Sequence, residues 1–226
     1  MEERPVSGDR IAAFFDMDKT VLSKSSGVLY TRHLFRTGQI NWREMLLVFW
    51  SVLKYKLALV DWPRVTQRFM ERARGQREID VLEEARYWFH ELIVPHIAPL
   101  AVERMAWHRQ HNHHVALLSA STPYVVGLLA EYLGLADNYI CTQLEVINGV
   151  LTGRIIEPLC YAAGKVYWAE IYAQQRGVDL DRSYFYTDSV ADMPMLQRVG
   201  CPVAVNPDFR LRRYARRQGW PVETFY

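Results

Sequence analysis

The sequence predicts an α/β fold: a parallel sheet with helices on both faces, interrupted after its first strand by a helical insertion. Three observations predict it. Short apolar runs bounded by polar or turn residues, such as "RIAAFFD" at 10–16 and "HVALLS" at 114–119, read as buried strands. Segments with helical spacing alternate with them, the pattern of parallel β-α-β units. Residues 23–94 show no strand alternation and are too long for a single crossover, so they read as an insertion. The expected division is a core of residues 1–22 and 95–226 and a helical domain of residues 23–94.

Each element has its own reason. "RIAAFFD" is a Phe-rich strand that stops at Asp16. Within the insertion, Val65, Phe69 and Ala73, then Leu82, Ala85 and Phe89, recur at helical spacing, and Pro63 after Asp61 suits a helix start. Pro95 and Pro99 punctuate the return to the core. A helix over about 100–111 leads into "HVALLS". Pro123 at a first helical position and Gly134 as a stop frame the next helix. Asn148-Gly149 in "LEVINGVLTGR" predicts a hairpin, since both residues tolerate the positive φ of its tight turn. A helix from Lys165 to about Gln175 follows. The strands "SYFYTD" and "CPVAVN" enclose a helix around Met193–Val199. Asp208 and Gly219 delimit a last helix carrying five arginines between Arg210 and Arg217.

Composition narrows the function classes. Of 226 residues half are apolar, enough for a substantial core, and 27 basic against 25 acidic residues leave a charge of +2. Such a balance gives no global attraction to nucleic acid, so no nucleic-acid partner is expected, and the five arginines read as an exposed helix face. Cys141, Cys160 and Cys201 form no C-x-x-C pair or disulfide framework, and the charged N-terminus does not resemble a secretory signal; a cytoplasmic location is expected. "MLLVFWSVLKYKLALV", Met45–Val60, falls short of the roughly 20 residues of a membrane-spanning helix. It reads as a buried helix with snorkelling lysines, peripheral membrane contact being the alternative. His111, His113 and His114 precede a strand and read as a solvated loop.

Ligands of open parallel sheets bind beyond the carboxyl ends of the strands. Asp16, Asp18, Ser119, Asp188 and Asp192 stand at those ends, and Lys165 begins a helix that reaches the same rim. Four clustered carboxylates need a counter-charge. An oxygen-rich set suits Mg²⁺, and a cation with a lysine makes an anion site, most naturally for a phosphoryl group. "AGKV" at 163–166 does not make a phosphate loop, because the first Gly is missing and Val166 stands where Ser or Thr is needed.

"DMDKT" at 16–20 resembles the D-x-D-x-T signature of the haloacid dehalogenase superfamily, mostly Mg²⁺-dependent phosphatases. "VALLS", Lys165 and "YTDSVADMPML" resemble its second, third and fourth motifs in order, and "LEVINGVLTGR" and "VAVNPD" are similar to its phosphoserine-phosphatase-like branch. The resemblance covers about 10–22 and 100–209. It implies a Rossmann-like core with a helical cap at 23–94, and a Mg²⁺-dependent phosphatase acting on a small phosphorylated molecule. By that resemblance Asp16 is the nucleophile that becomes an aspartyl phosphate, and Asp18 is the general acid and then base. Asp16, Asp18 (through its carbonyl) and Asp188 hold the metal, with Asp192 behind them. Ser119 and Lys165 bind the phosphoryl oxygens, and Thr20 orients the nucleophile loop. Phosphoserine phosphatases of the branch have a Glu nine residues after the nucleophile, where this chain has Ser25, a position facing the substrate. That departure favours another phosphomonoester, and the apolar Met45–Val60 suggests a hydrophobic or lipid one, with phosphoserine as the alternative.

Overall fold

The computed structural model describes residues 9–43, 66–67 and 70–226; the apolar stretch Met45–Val60 and the proposed helix start at Pro63 lie outside them. Among the described residues the strands are β1 (Ala12–Phe15), β2 (His114–Ser119), β3 (Tyr139–Cys141), β4 (Gln143–Ile147), β5 (Val150–Ile156), β6 (Tyr184–Thr187), β7 (Cys201–Val205) and β8 (Val222–Glu223). The helices are α1 (Ser26–Arg36), α2 (Glu78–Leu92), α3 (Pro99–Gln110), α4 (Pro123–Tyr132), α5 (Ala163–Arg176), α6 (Met193–Arg198) and α7 (Phe209–Gln218).

Six strands pair in the order β3-β2-β1-β6-β7-β8, and every pairing is parallel. The α/β class is therefore as the sequence predicts. β1 sits centrally and is buried on both faces, which is why its sequence is a continuous apolar run rather than an alternation. Ala13 and Phe15 join Leu117, Tyr186 and Val203 on one face, covered by Met105 of α3 and Val126 and Leu129 of α4. Ala12 and Phe14 join Ala116, Leu118 and Phe185 on the other, covered by Ala169 and Ala173 of α5, Leu196 of α6 and Leu211 of α7. Phe15 stacks parallel on Tyr186 with centroids 4.4 Å apart.

The chain leaves the sheet after β1 and returns toward α3 through adjacent segments. Leu22 bridges Ile97, Ser23 N–H donates to His96 O at 2.7 Å, and Ala98 N–H donates to Val21 O at 2.8 Å. Asn148 and Gly149 take φ of 51° and 75°, and β4 and β5 pair antiparallel around them, as expected. The hairpin is a separate two-stranded sheet and bonds to the segment just before α2, with Gly75 N–H on Leu151 O at 2.8 Å and Leu151 N–H on Gln76 O at 2.9 Å.

α7 is capped as its sequence requires: Asp208 Oδ1 accepts from Leu211 N–H at 2.9 Å, and Gly219 ends it at φ 68°. Arg210, Arg212, Arg213, Arg216 and Arg217 are all exposed. The histidines depart from a plain solvated loop. His111 is exposed, but His113 binds His108, a buried residue of α3, with their Nδ1 atoms 2.8 Å apart, and His108 Nε2 lies 2.9 Å from the Tyr186 hydroxyl. Burial and the neighbouring His113 push His108 down to about 3, so this imidazole sits neutral inside the core.

Candidate active site

The carboxyl end of β1 passes directly into Asp16, whose N–H donates to Tyr186 O at 2.9 Å and so continues the ladder one residue beyond the strand. The chain then curls back, with Val21 N–H on Asp16 O at 3.3 Å and Leu22 N–H on Met17 O at 2.9 Å. Lys19 turns this loop at φ 58°. The loop presents the Asp16 and Asp18 side chains at the sheet edge.

Lys165, in the first turn of α5, is 2% exposed. Its Nζ donates to Asp16 Oδ1 at 2.6 Å and to Asp192 Oδ2 at 2.8 Å. The approach of α5 depends on Gly164. A Cβ there would fall deep inside the contact distance of the Leu159 carbonyl oxygen, so any other residue would push the loop, and Lys165 with it, out of place. Thr187, the last residue of β6, donates to Asp192 Oδ2 at 2.7 Å. This residue escaped sequence reasoning; its position beside Asp188 in "YTDSVAD" was the available signal.

Asp188 follows β6 and is buried; its carbonyl accepts from Asp208 N–H at 2.8 Å. Asp208 Oδ2 in turn accepts from Val190 N–H at 2.8 Å, which ties the Asp188–Asp192 turn to α7. Ser119 ends β2 two residues beyond Leu117, the register partner of Phe15, and its Oγ accepts from Ser121 N–H at 3.2 Å. Asp18 is half-buried and its Oδ1 accepts from Ser26 N–H at 2.7 Å, so the first turn of α1 holds this carboxylate. Ser26 Oγ stands 3.4 Å from Ser121 Oγ, joining α1 to the β2–α4 loop. Ser25 caps α1 by position without a side-chain hydrogen bond, and no acid occupies the first turn of that helix. Thr20 is fully buried; its N–H reaches Met17 O at 3.4 Å and its hydroxyl has no partner.

The charges do not balance. Burial, Asp192 and Asp188 push Asp16 up to about 8, against the pull of Lys165. Burial, together with Asp192 and Asp208, pushes Asp188 up to about 7, against Lys19 and Lys165. Asp18 is raised by burial and held back by the Ser26 N–H. Lys165 is desolvated too, but the two carboxylates on its ammonium raise it, so it stays charged. Burial also raises the neighbouring Cys160 thiol to about 12, which makes it inert. One lysine against three buried carboxylates leaves a deficit of positive charge that a hard divalent cation fits. Among the described residues no group of three or more His, Cys, Asp and Glu side chains forms a metal cage by itself. Mg²⁺ takes only one or two carboxylates and fills its shell with backbone, substrate and water oxygens, so it needs none.

A cavity of about 720 Å³ opens elsewhere, between α1 and α2, lined by Arg32, His33, Arg36, Tyr87 and Glu91 among others; none of the aspartates lines it. Among the described residues no helix is long and apolar enough to cross a membrane.

A doubly covered parallel sheet that gathers acids and one buried lysine at its carboxyl ends is the frame of an α/β enzyme whose site takes an anionic group beside a cation. A family model described as haloacid dehalogenase-like hydrolase matches residues 13–197, and the chain belongs to that family. It is 35% identical over 221 residues to the "Inhibition of morphological differentiation protein" of Streptomyces azureus, covering 96% of this chain and 79% of that one. It is 33% identical over 222 residues to a phosphoserine phosphatase of Mycobacterium tuberculosis, covering 95% and 70%. A crystal structure of a protein of unknown function from Bordetella pertussis superposes with a TM-score of 0.85 at 26% identity, covering 96% and 99%. The chain thus stands in the phosphoserine-phosphatase-like branch and is, by class, a phosphoric monoester hydrolase.

Proposed function

We propose that this chain hydrolyses a phosphomonoester of a small molecule through an aspartyl phosphate on Asp16. The observation that carries the reading is the shared ammonium of Lys165, which orients Asp16 Oδ1 and leaves the other carboxylate oxygen to react. In the first step that oxygen attacks phosphorus, the bond to the leaving oxygen breaks, and Asp18 gives that oxygen its proton. In the second, Asp18 takes a proton from water, the water oxygen attacks phosphorus, and the bond to Asp16 breaks to release phosphate. Burial raises the Asp18 carboxyl above its ordinary range, the direction that favours its protonated, acid form. Ser119 and Lys165 meet the phosphoryl oxygens, and stabilising the charge spread over them is the main catalytic lever. Asp192 and Thr187 hold Lys165 in place.

Asp16 and Asp188 through their carboxylates and Asp18 through its carbonyl would hold Mg²⁺, which when bound neutralises charge on the nucleophile and the phosphoryl group. Residues 23–94 act as the cap that selects the substrate. Its described face toward the site offers Ser25 and Ser26 rather than an acid, which disfavours the ammonium of phosphoserine. A hydrophobic phosphomonoester is our reading of the substrate, with a small phosphorylated molecule in the cytoplasm as the broader class. Phosphoserine is the second reading, favoured by the M. tuberculosis relative.

The test is Mg²⁺-dependent release of phosphate from an aryl phosphate, followed by a screen of phosphoserine, sugar phosphates and long-chain phosphates. Chelation should suppress the activity and Asp16→Asn should abolish it. Full turnover by Asp16→Asn would sink the mechanism, and equal rates across the screen would sink the hydrophobic preference.

A further inference from the structure

Lys19 lies in the left-handed region at φ 58°, a conformation that costs energy for a residue with a side chain. It sits inside the loop that carries Asp16 and Asp18, so something must hold it there. The peptide unit between Lys19 and Thr20 is gripped at both poles. Its N–H, on Thr20, reaches Met17 O at 3.4 Å, and its carbonyl, on Lys19, accepts from the Tyr226 hydroxyl at 3.0 Å. The second grip comes from 207 residues away.

Tyr226 is half exposed, but the segment that delivers it is well anchored. The preceding Phe225 is buried and stacks on Tyr186 with centroids 6.1 Å apart, and the Tyr186 carbonyl receives the Asp16 N–H. Phe225 N–H donates to Asn206 Oδ1 at 3.3 Å, and Asn206 N–H donates to Glu223 O at 2.9 Å. Arg104 of α3 binds Glu223 at 3.0 Å. The segment from β8 to Tyr226 is thus fastened to the same strand ends that carry the aspartates, and its last hydroxyl closes on the nucleophile loop.

We propose that Tyr226 is a positioning residue for phosphoryl transfer: its hydroxyl locks the Lys19–Thr20 peptide and so fixes where Asp16 and Asp18 stand relative to each other. The role rests on the proposed phosphatase mechanism. It concerns the transition state more than the ground state, because both aspartates must be aligned at the moment of transfer. Tyr226→Phe keeps the ring and removes the bond. Loss of one hydrogen bond from the loop should lower kcat on an aryl phosphate by about three- to tenfold with KM unchanged. The thermal unfolding temperature should not move, and the Thr20–Leu22 amides should exchange faster by a similar factor. Wild-type kcat and wild-type exchange in Tyr226→Phe would overturn the proposal. So would a rise in KM at constant kcat, which marks a substrate contact instead. If the wild-type enzyme releases no phosphate from any substrate, the phosphatase mechanism falls and the positioning role falls with it. The exchange measurement still decides separately whether the hydroxyl holds the loop.

Discussion

Lys165 and Thr187 converge on one oxygen, Oδ2 of Asp192, at 2.8 and 2.7 Å. Asp192 therefore works as the socket for the lysine that touches the nucleophile. Asp192→Asn should keep the hydrogen bond from Thr187 and lose the charge that helps hold the ammonium. We expect kcat to fall by roughly one to two orders of magnitude while the fold survives, in line with about 1.5–3 kcal/mol for a charge-assisted bond. Steady-state kinetics beside an unfolding curve checks both halves.

The raised carboxylates make a pH prediction for the metal-free protein. Asp16 at about 8 and Asp188 at about 7 lie above the ordinary 3.8, so the folded state binds more protons than the unfolded chain between these values. Stability must then fall as pH rises through that window. Urea midpoints in chelator should be lower at pH 8 than at pH 5, and Mg²⁺ should restore the loss at pH 8. A midpoint that climbs with pH in chelator would contradict the charge deficit.

Gly164 permits the close approach of α5 to Leu159. Gly164→Ala should destabilise the protein by at least about 2 kcal/mol, the scale of overpacking against backbone, and remove activity by displacing Lys165. Denaturant titration and an aryl phosphate assay at a temperature where the variant is folded separate the two effects.

Ser25 begins α1 with no acid in the first turn. Ser25→Glu places a carboxylate where a helix N-terminus favours it. The variant should gain roughly tenfold in kcat/KM for phosphoserine relative to an uncharged aryl phosphate, the scale of one charge-assisted contact. No gain would remove this position from substrate selection.

The His108–Tyr186 bond is buried beneath the site. Tyr186→Phe leaves a core imidazole nitrogen unpaired and should cost about 1–3 kcal/mol with kcat little changed. His108→Phe in the same background should recover part of that cost, which a double-mutant cycle reads directly.

Much of this was legible because local chemistry wrote it. The Phe-rich run ending at Asp16, the Asn148-Gly149 turn and the Asp208 and Gly219 caps each follow from short-range rules, and the ordered motifs located Lys165, Asp188 and Asp192. β3 and β8 were not legible, since three and two residues are too short to show a period. His108 hid inside a helix, where nothing nearby in sequence marks it as a partner of Tyr186. Tyr226 was invisible for a simpler reason: no spacing rule links a phenol to a loop 207 positions earlier.

Ser23 and Val21 are bonded to His96 and Ala98, so the chain's two crossings between β1 and α3 lie side by side. Entry and exit this close together let the chain between them leave and rejoin the sheet at one place, with β1 and β2 still paired directly as parallel neighbours. The first crossing includes Val21, one residue after Thr20, so it adjoins the loop that holds Asp16. A displacement at Val21 would therefore reach the nucleophile directly, through the Val21 N–H bond to Asp16 O at 3.3 Å.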